Sequence, residues 1–211
     1  MFHKEILNAN QTELVPLIGN FKREYYLVGG TAIALYIGHR RSIDYDLFKF
    51  APLNRKKNIE KIRQFGYEPL ITWNVTDQMN LVVNDVKLTF FQYPFQIKAD
   101  HVFEESVRIP DLIDLAAMKA YALGRRSKWK DYVDLYFLLK EQFSFETISQ
   151  RASAIYGDMF SDKLFRSQLS YFEDVDYTEE VEYMIPNPPK KEEIKEFLIY
   201  VSTTIKGTNT K

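Results

Sequence analysis

The sequence predicts an α+β protein with a mixed sheet in the first half of the chain and helices in the second half. Short apolar or alternating segments predominate up to about residue 103, and segments with helical spacing predominate after it. The same order is also compatible with an α/β sheet followed by a helical lobe. We expect a sheet core over residues 1–105 and a mostly helical part over residues 106–211 that packs against it.

The first half is read from the spacing of its apolar residues and from its turn residues. The predicted elements are helical sequence over 2–24, interrupted near Pro16 and Gly19, a strand over 25–28, a helix over 31–37, a strand over 43–50, a helix over 53–65, and strands over 67–75, 79–83 and 86–93. Gly29-Gly30 end the first strand, and Gly38 closes the short helix after it. Asn84-Asp85 predicts a hairpin turn.

The second half carries helix start signals and a clear linker. Pro110 precedes a helix over 111–123, and a second helix is predicted over 128–141. Ser144 and Ser161 are predicted to cap two further helices. Residues 186–189, Pro-Asn-Pro-Pro, form a linker before a final amphipathic helix.

Composition excludes several classes of protein. The formal net charge of −1 excludes a chain that binds nucleic acid through overall basicity, so such contact would require a local patch. The absence of cysteine excludes disulfides and thiolate metal sites and fits a reducing compartment. The first residues lack the apolar core of a signal peptide, and no apolar run approaches the length of a membrane span. We expect a cytoplasmic protein without membrane contact.

The Gly29-Gly30-Thr31 segment is a candidate phosphate site. Glycines between a strand and a helix let the backbone approach a ligand closely, and the first N–H groups of the helix are free to bind an anion. Thr31 adds a hydroxyl. Considered alone, such a segment is more often a tight turn without a ligand.

Asp44 and Asp46 are the candidate metal ligands. Residues two apart on a strand point to the same face, so these carboxylates can converge on metal ions in a phosphoryl-transfer site. Mg²⁺ is commonly held by one or two carboxylates together with substrate phosphates. Arg40 and Arg41, just before the strand, could contact a triphosphate or brace the carboxylates. The alternative is a solvated strand end.

The run YLVGGTAIALYIGHRRSIDYDLF resembles the abortive-infection AbiEii/AbiGii-type nucleotidyltransferases, toxins of type IV toxin–antitoxin systems. More broadly, it is similar to the DNA polymerase β-like nucleotidyltransferase superfamily, with its glycine pair, short helix and Asp-x-Asp. Thirteen residues separate Gly30 from Asp44. The resemblance implies a nucleotidyltransferase-type mixed sheet flanked by helices and a reaction of an NTP with Mg²⁺. It also implies RNA, such as tRNA, as acceptor and an antitoxin protein as partner.

A second stretch, IPDLIDLAAMKAYALGRRSKWKDYVDLYFLL, extends the resemblance. By the resemblance, Lys119, Asp131 and Asp134 are catalytic candidates and Lys130 is a nucleotide ligand. The residues themselves also allow structural roles. Lys119, in an apolar stripe, can extend its amine to solvent, and Asp134 can form an ion pair that docks its helix. We expect Lys119 and Asp134 to open into the same cleft as the Asp pair.

The basic segment around Trp129 also has two interpretations. Residues 124–130 read GRRSKWK, with four cations close to an aromatic residue. They suit either a groove for RNA phosphates with a stacking ring or a solvated loop.

One position departs from the pattern that the resemblance implies. A third carboxylate is expected on a later strand, often as the general base, and Thr89 occupies the matching strand. Asp131 or Asp134 could serve as base instead. Three functions therefore stay open: transfer of a nucleotidyl group to RNA, transfer to a small molecule such as an antibiotic, and nucleotide binding without catalysis.

Overall fold

The computed structural model describes residues 2–123 and 125–204, and its backbone divides into two compact units. Unit 1 is Met1–Leu115 with Glu182–Ile185, and unit 2 is Ala116–Val181 with Pro186–Lys211. Unit 1 contains the sheet and unit 2 is helical, so the predicted α+β class is confirmed. Within the described residues, no helix combines the length and apolar character that crossing a bilayer requires.

Unit 1 is built on a seven-stranded mixed sheet in the order β3-β4-β5-β2-β1-β7-β6. Its elements are α1 (Ala9–Gly19), β1 (Tyr26–Val28), α2 (Gly29–Ile37), β2 (Asp44–Lys49), α3 (Arg55–Gln64), β3 (Leu70–Asn74), β4 (Gln78–Val83), β5 (Val86–Gln92), β6 (His101–Phe103) and β7 (Val107–Ile109). Strand β2 runs antiparallel to β1 and parallel to β5, and this places it at the centre of the sheet.

The two faces of β2 have opposite character. Tyr45 and Leu47 are buried, and the Tyr45 hydroxyl donates to the carbonyl of Gln11 in α1 at 3.0 Å. The ring of Phe21, just after α1, meets that of Phe90 in β5 edge-on, with centroids 4.9 Å apart. Because α1 and the residues after it cover this face, the apolar half of the strand alternation is directed into the core. The other half of the alternation, which includes Asp44 and Asp46, lies on the opposite face of the sheet.

The predicted elements are found with a few differences. Helix α1 continues through Pro16 to Gly19 and is not broken there, because buried Leu14, Leu17 and Ile18 hold it against the sheet. The hairpin turn at Asn84-Asp85 is confirmed, since both residues have positive φ. The β6–β7 hairpin was not predicted.

Unit 2 consists of helices that start near the predicted caps. Helix α4 (Leu112–Leu123) begins in unit 1 and continues into unit 2, followed by α5 (Trp129–Phe137), α6 (Phe145–Tyr156), α7 (Asp162–Leu169) and α8 (Lys191–Thr203). The Ser144 hydroxyl accepts from the N–H of Thr147, and the Ser161 hydroxyl accepts from that of Leu164, so both caps are confirmed. Helix α5 ends in a π-helical turn, Leu138–Gln142, rather than continuing as regular helix.

Candidate active site

The glycine pair forms a tight passage from β1 into α2. Gly29 begins α2 with a φ of +74°, and a Cβ at this position would overlap the carboxylate of Asp46. A Cβ at Gly30 would overlap the guanidinium of Arg40. Glycine is therefore favoured at Gly29 by its backbone conformation, and at both positions it leaves room for a side chain that an added Cβ would have to displace. An acidic and a basic side chain both lie directly against the first turn of α2, where the N–H groups lack intrahelical partners.

This geometry predicts the effect of a methyl group at Gly29. Gly29→Ala should lower the free energy of unfolding by about 1–3 kcal/mol more than Gly66→Ala, because the new Cβ must displace the Asp46 carboxylate. Gly66 is the matched control, since its φ is +86° and nothing lies within 4 Å of an added Cβ. Urea unfolding of the two variants makes the comparison. If both variants lose the same free energy of unfolding, the position of the Asp46 carboxylate does not depend on the absence of a side chain at Gly29.

Asp44 and Asp46 lie on the uncovered face of β2. Both are partly exposed and alternate with buried Tyr45 and Leu47, as the strand pattern predicts. Val28 pairs with Asp46 across the antiparallel ladder, so the carboxylate lies beside the end of β1 where the glycine turn begins. The two carboxylates thus share one face next to the turn.

Thr31 has a structural use in this arrangement. Its side chain is buried and its hydroxyl donates to the carbonyl of Asp44, which joins α2 to the start of β2. The expected contact between this hydroxyl and a phosphate would compete with that hydrogen bond. The backbone N–H groups at the start of α2 are the better candidates for phosphate ligands.

The two arginines before β2 have different surroundings. The buried guanidinium of Arg40 borders Gly30 and donates to the carbonyl of Arg41 at 2.9 Å. Arg41 donates to Glu182 at 2.9 Å and to the carbonyl of Ile6 at 3.1 Å. Arg40 thus borders the glycine turn, and Arg41 joins the segment Glu182–Ile185 to the rest of unit 1.

Thr89 occupies the strand position expected for a third carboxylate. Strand β5 is parallel to β2 with Asp46 opposite Thr89, and the Thr89 side chain is buried. A hydroxyl cannot take a proton or share a metal as a carboxylate does. Within the described residues, no cluster of three or more His, Asp or Glu side chains forms a metal site. The acidic site of unit 1 is therefore a pair, not a triad.

In unit 2, Lys119 lies at the centre of a buried ionic cluster. Its amine in α4 is 2.7 Å from Asp131 Oδ1 and 2.9 Å from Asp134 Oδ2, both in α5. The three side chains are only 4%, 3% and 0% exposed, in that order. Lys119 does not extend to solvent, so that interpretation of the apolar stripe is wrong. The ion pair that the sequence left open for Asp134 is found, with Lys119 as its partner.

Arg126 completes the cluster from the loop before α5. Its guanidinium donates to both carboxylate oxygens of Asp131, at 2.8 and 3.1 Å. Burial alone would raise the pKa of the Asp131 carboxyl, but the attraction of Lys119 and Arg126 outweighs burial and lowers it. Asp131 is therefore held as a carboxylate, which favours a role in fixing Lys119 over one in accepting a proton.

The basic segment before α5 is not an open groove. The Arg125 guanidinium lies 3.4 Å from the centre of the Tyr121 ring, and Lys128 and Lys130 both pair with Glu179. Trp129 is only 6% exposed and packs on Tyr132, so it cannot stack on a nucleotide base. The interpretation with Trp129 as a stacking ring is wrong, because that side chain is buried, whereas Arg125 and Arg126 are exposed as in a solvated loop. Nothing in the sequence near these lysines indicates that Glu179 would pair with them.

Comparison with known structures supports the class of fold. MenT4, a nucleotidyltransferase toxin from Mycobacterium tuberculosis, matches 93% of this chain and 82% of its own at a TM-score of 0.60 and 12% identity. JHP933 from Helicobacter pylori matches 96% and 90% at a TM-score of 0.54 and 16% identity. The antibiotic-resistance factor ANT(2'')-Ia matches 68% and 90% at a TM-score of 0.50 and 15% identity. These likenesses define a nucleotidyltransferase fold.

Sequence comparison identifies the family. The profile of the AbiEii nucleotidyl transferase toxins, from type IV toxin–antitoxin systems, matches residues 72–199. An uncharacterised protein of Aquifex aeolicus is 30% identical over 179 residues, which are 82% of this chain and 84% of that protein. The chain belongs to the AbiEii family and is a nucleotidyltransferase. The family profile also covers residues 142–199, which the sequence motifs described above do not reach.

Proposed function

We propose that this protein transfers a nucleotidyl group from an NTP to a hydroxyl of RNA, of the tRNA class, with Mg²⁺. In this proposal it acts in the cytoplasm as a toxin that a protein antitoxin restrains. One observation carries the catalytic part: Asp44 and Asp46 share the uncovered face of β2 beside the glycine turn. Membership of the toxin family supports the biological part.

The triphosphate is assigned to the start of α2. The unpaired N–H groups after Gly29 and the positive end of the helix dipole favour an anion there. Arg40 borders the same turn and adds a charged donor. We assign no phosphate contact to Arg41 or Lys130, because Glu182 and Glu179 respectively pair with them.

The donor set of the Asp pair fits Mg²⁺. Two partly exposed carboxylates on one strand face supply oxygen ligands, and substrate phosphates and water would supply the rest. Asp44 and Asp46 would hold the ion, which when bound neutralises negative charge on the triphosphate.

The proposed reaction is a substitution at the α-phosphorus of the NTP. An acceptor oxygen forms the new P–O bond, the bond to the β-phosphate oxygen breaks and pyrophosphate leaves, and the acceptor hydroxyl gives its proton to water. Lys119 is kept as a proposed catalytic residue on the ground of the family resemblance alone. Asp131 and Asp134 position its amine, as their distances of 2.7 and 2.9 Å support.

The test is transfer of radiolabel from α-phosphate-labelled NTPs. The purified chain is incubated with each NTP, with and without Mg²⁺, and with total tRNA, other RNA or aminoglycosides as acceptors. We expect label on RNA that depends on Mg²⁺ and is lost in the Asp46→Asn variant. Label on the small molecules alone would favour the antibiotic-type activity, and nucleotide binding without transfer to any acceptor would favour a module that only binds.

A further inference from the structure

A row of side chains crosses the sheet of unit 1 from the Asp pair to its edge. In the ladder registers, Asp46 pairs with Thr89, Thr89 with Asn80, and Asn80 with Trp73. Directly paired residues of neighbouring strands project on the same face of a sheet. The row therefore presents a carboxylate, a hydroxyl, an amide and an indole on one face, in that order.

The row is exposed to solvent at the edge strand β3, whereas its inner side chains are partly or fully buried. Trp73 in β3 is 55% exposed and its neighbour Leu70 is 67% exposed, although both are large apolar side chains. Asn80 is only partly exposed, and its side-chain oxygen accepts from the Gln78 amide at 2.9 Å. Exposing the apolar surface of an indole to water on an edge strand is unfavourable, and such exposure is typical of a binding surface.

We propose that this row is the track of a single-stranded RNA acceptor, with a base stacked on Trp73. The inference rests on the proposed transfer to RNA and names which part of unit 1 holds the acceptor. Beyond buried Thr89, Asn80 offers hydrogen bonds along the track, and Lys87, opposite Asp44 in the next row, offers a cation to the phosphate backbone.

The length of the row favours a polynucleotide over a small acceptor. Three strand intervals of about 4.8 Å put Trp73 roughly 14 Å from Asp46. That span exceeds the rise of about 3.4 Å per nucleotide in a stacked strand. The base on Trp73 therefore belongs to a nucleotide several positions away from the reacting hydroxyl, which an aminoglycoside or a protein side chain does not supply.

The experiment uses the full chain and a short single-stranded oligoribonucleotide of mixed sequence, without NTP. Trp73 and Trp129 are the two tryptophans of the chain, and Trp129 is buried, so stacking on Trp73 should quench the exposed part of the emission. The quenching should be absent in Trp73→Phe, which keeps an aromatic ring for binding. Trp73→Ala should raise the Kd, measured by anisotropy of a labelled oligoribonucleotide, about tenfold or more.

The control is Ile71→Ala, on the same strand. Ile71 is 43% exposed and pairs with buried Leu81. The ladder register shifts between Ile71 and Trp73, so Ile71 lies on the opposite face from Asn80 and Trp73, and its loss should leave the Kd unchanged. Equal affinities of Trp73→Ala and the parent protein would overturn the proposal. So would a change in sedimentation of Trp73→Ala, which would make the edge a contact between copies, or label transferred to protein.

The same variants separate this inference from the proposed function. If the parent transfers label to RNA and Trp73→Ala has the same KM for RNA, only the acceptor track is wrong. If the parent binds and quenches as expected but transfers nothing, the track stands and the proposed transfer fails.

Discussion

Asp46→Asn is expected to lower the rate of nucleotidyl transfer by at least about a thousandfold while the fold is retained. The amide keeps the shape of the side chain but removes the charge that would hold the metal and the triphosphate. Because Asp44 carries a like charge on the same face of β2, the substitution should leave the free energy of unfolding unchanged or slightly raise it. Initial rates of label transfer and urea unfolding measure the two effects.

The matched control for Asp46→Asn is Asp85→Asn. Asp85 is an exposed carboxylate of unit 1 in the β4–β5 turn, and its positive φ suits asparagine. Transfer by this variant should equal that of the parent protein. A folded Asp46→Asn variant with near-parental rates would remove the metal role from the Asp pair.

Lys119→Met should lower the free energy of unfolding by about 3–5 kcal/mol. The methionine fills most of the space of the lysine stem, so packing changes little. The loss arises because Asp131 and Asp134, at most 3% exposed, would lie close together without the amine between them. Urea unfolding at neutral pH measures it. Lowering the pH should reduce the difference between variant and parent, since protonated carboxyls no longer need the amine.

Lys130→Met separates the buried cluster from an ordinary ion pair. Lys130 pairs with Glu179, whose side chain is 44% exposed, so the same substitution should cost under about 1 kcal/mol. If both variants lose the same small amount, the Lys119 cluster is not a buried network. NTP titration of folded Lys119→Met then tests the role in catalysis. Weaker binding is expected if the amine reaches the triphosphate.

Features that follow from local pattern could be predicted from the sequence. The alternation around Asp44 and Asp46 fixes both carboxylates on one face, because the side chains of a strand alternate. The family resemblance placed Thr89 on the strand expected to carry a third carboxylate, and the structure pairs Thr89 with Asp46. The glycine turn needed the same reasoning, since only glycine tolerates the conformation and the closeness found at Gly29.

Features that depend on distant partners could not be predicted. The ion pairs of Arg41 with Glu182 and of Lys128 with Glu179 join residues 141 and 51 positions apart, and no local pattern specifies such partners. The β6–β7 hairpin was missed for a different reason. Its turn places Glu104 and Glu105 at positive φ, where glycine, asparagine or aspartate would have given a signal.

The segment Glu182–Ile185 bears on how the chain folds during synthesis. The N–H of Arg41 donates to the carbonyl of Glu182, and the N–H of Met184 donates to that of His39, next to the arginine that borders Gly30. At about 5–20 residues per second, a ribosome needs roughly 7–28 s to make the 141 residues between the partners of the first bond. The nascent sheet unit therefore lacks this support until residue 184 has been made. The turn at Gly29-Gly30 thus gains these neighbours only after the intervening residues of unit 2, Ala116–Val181, have been made.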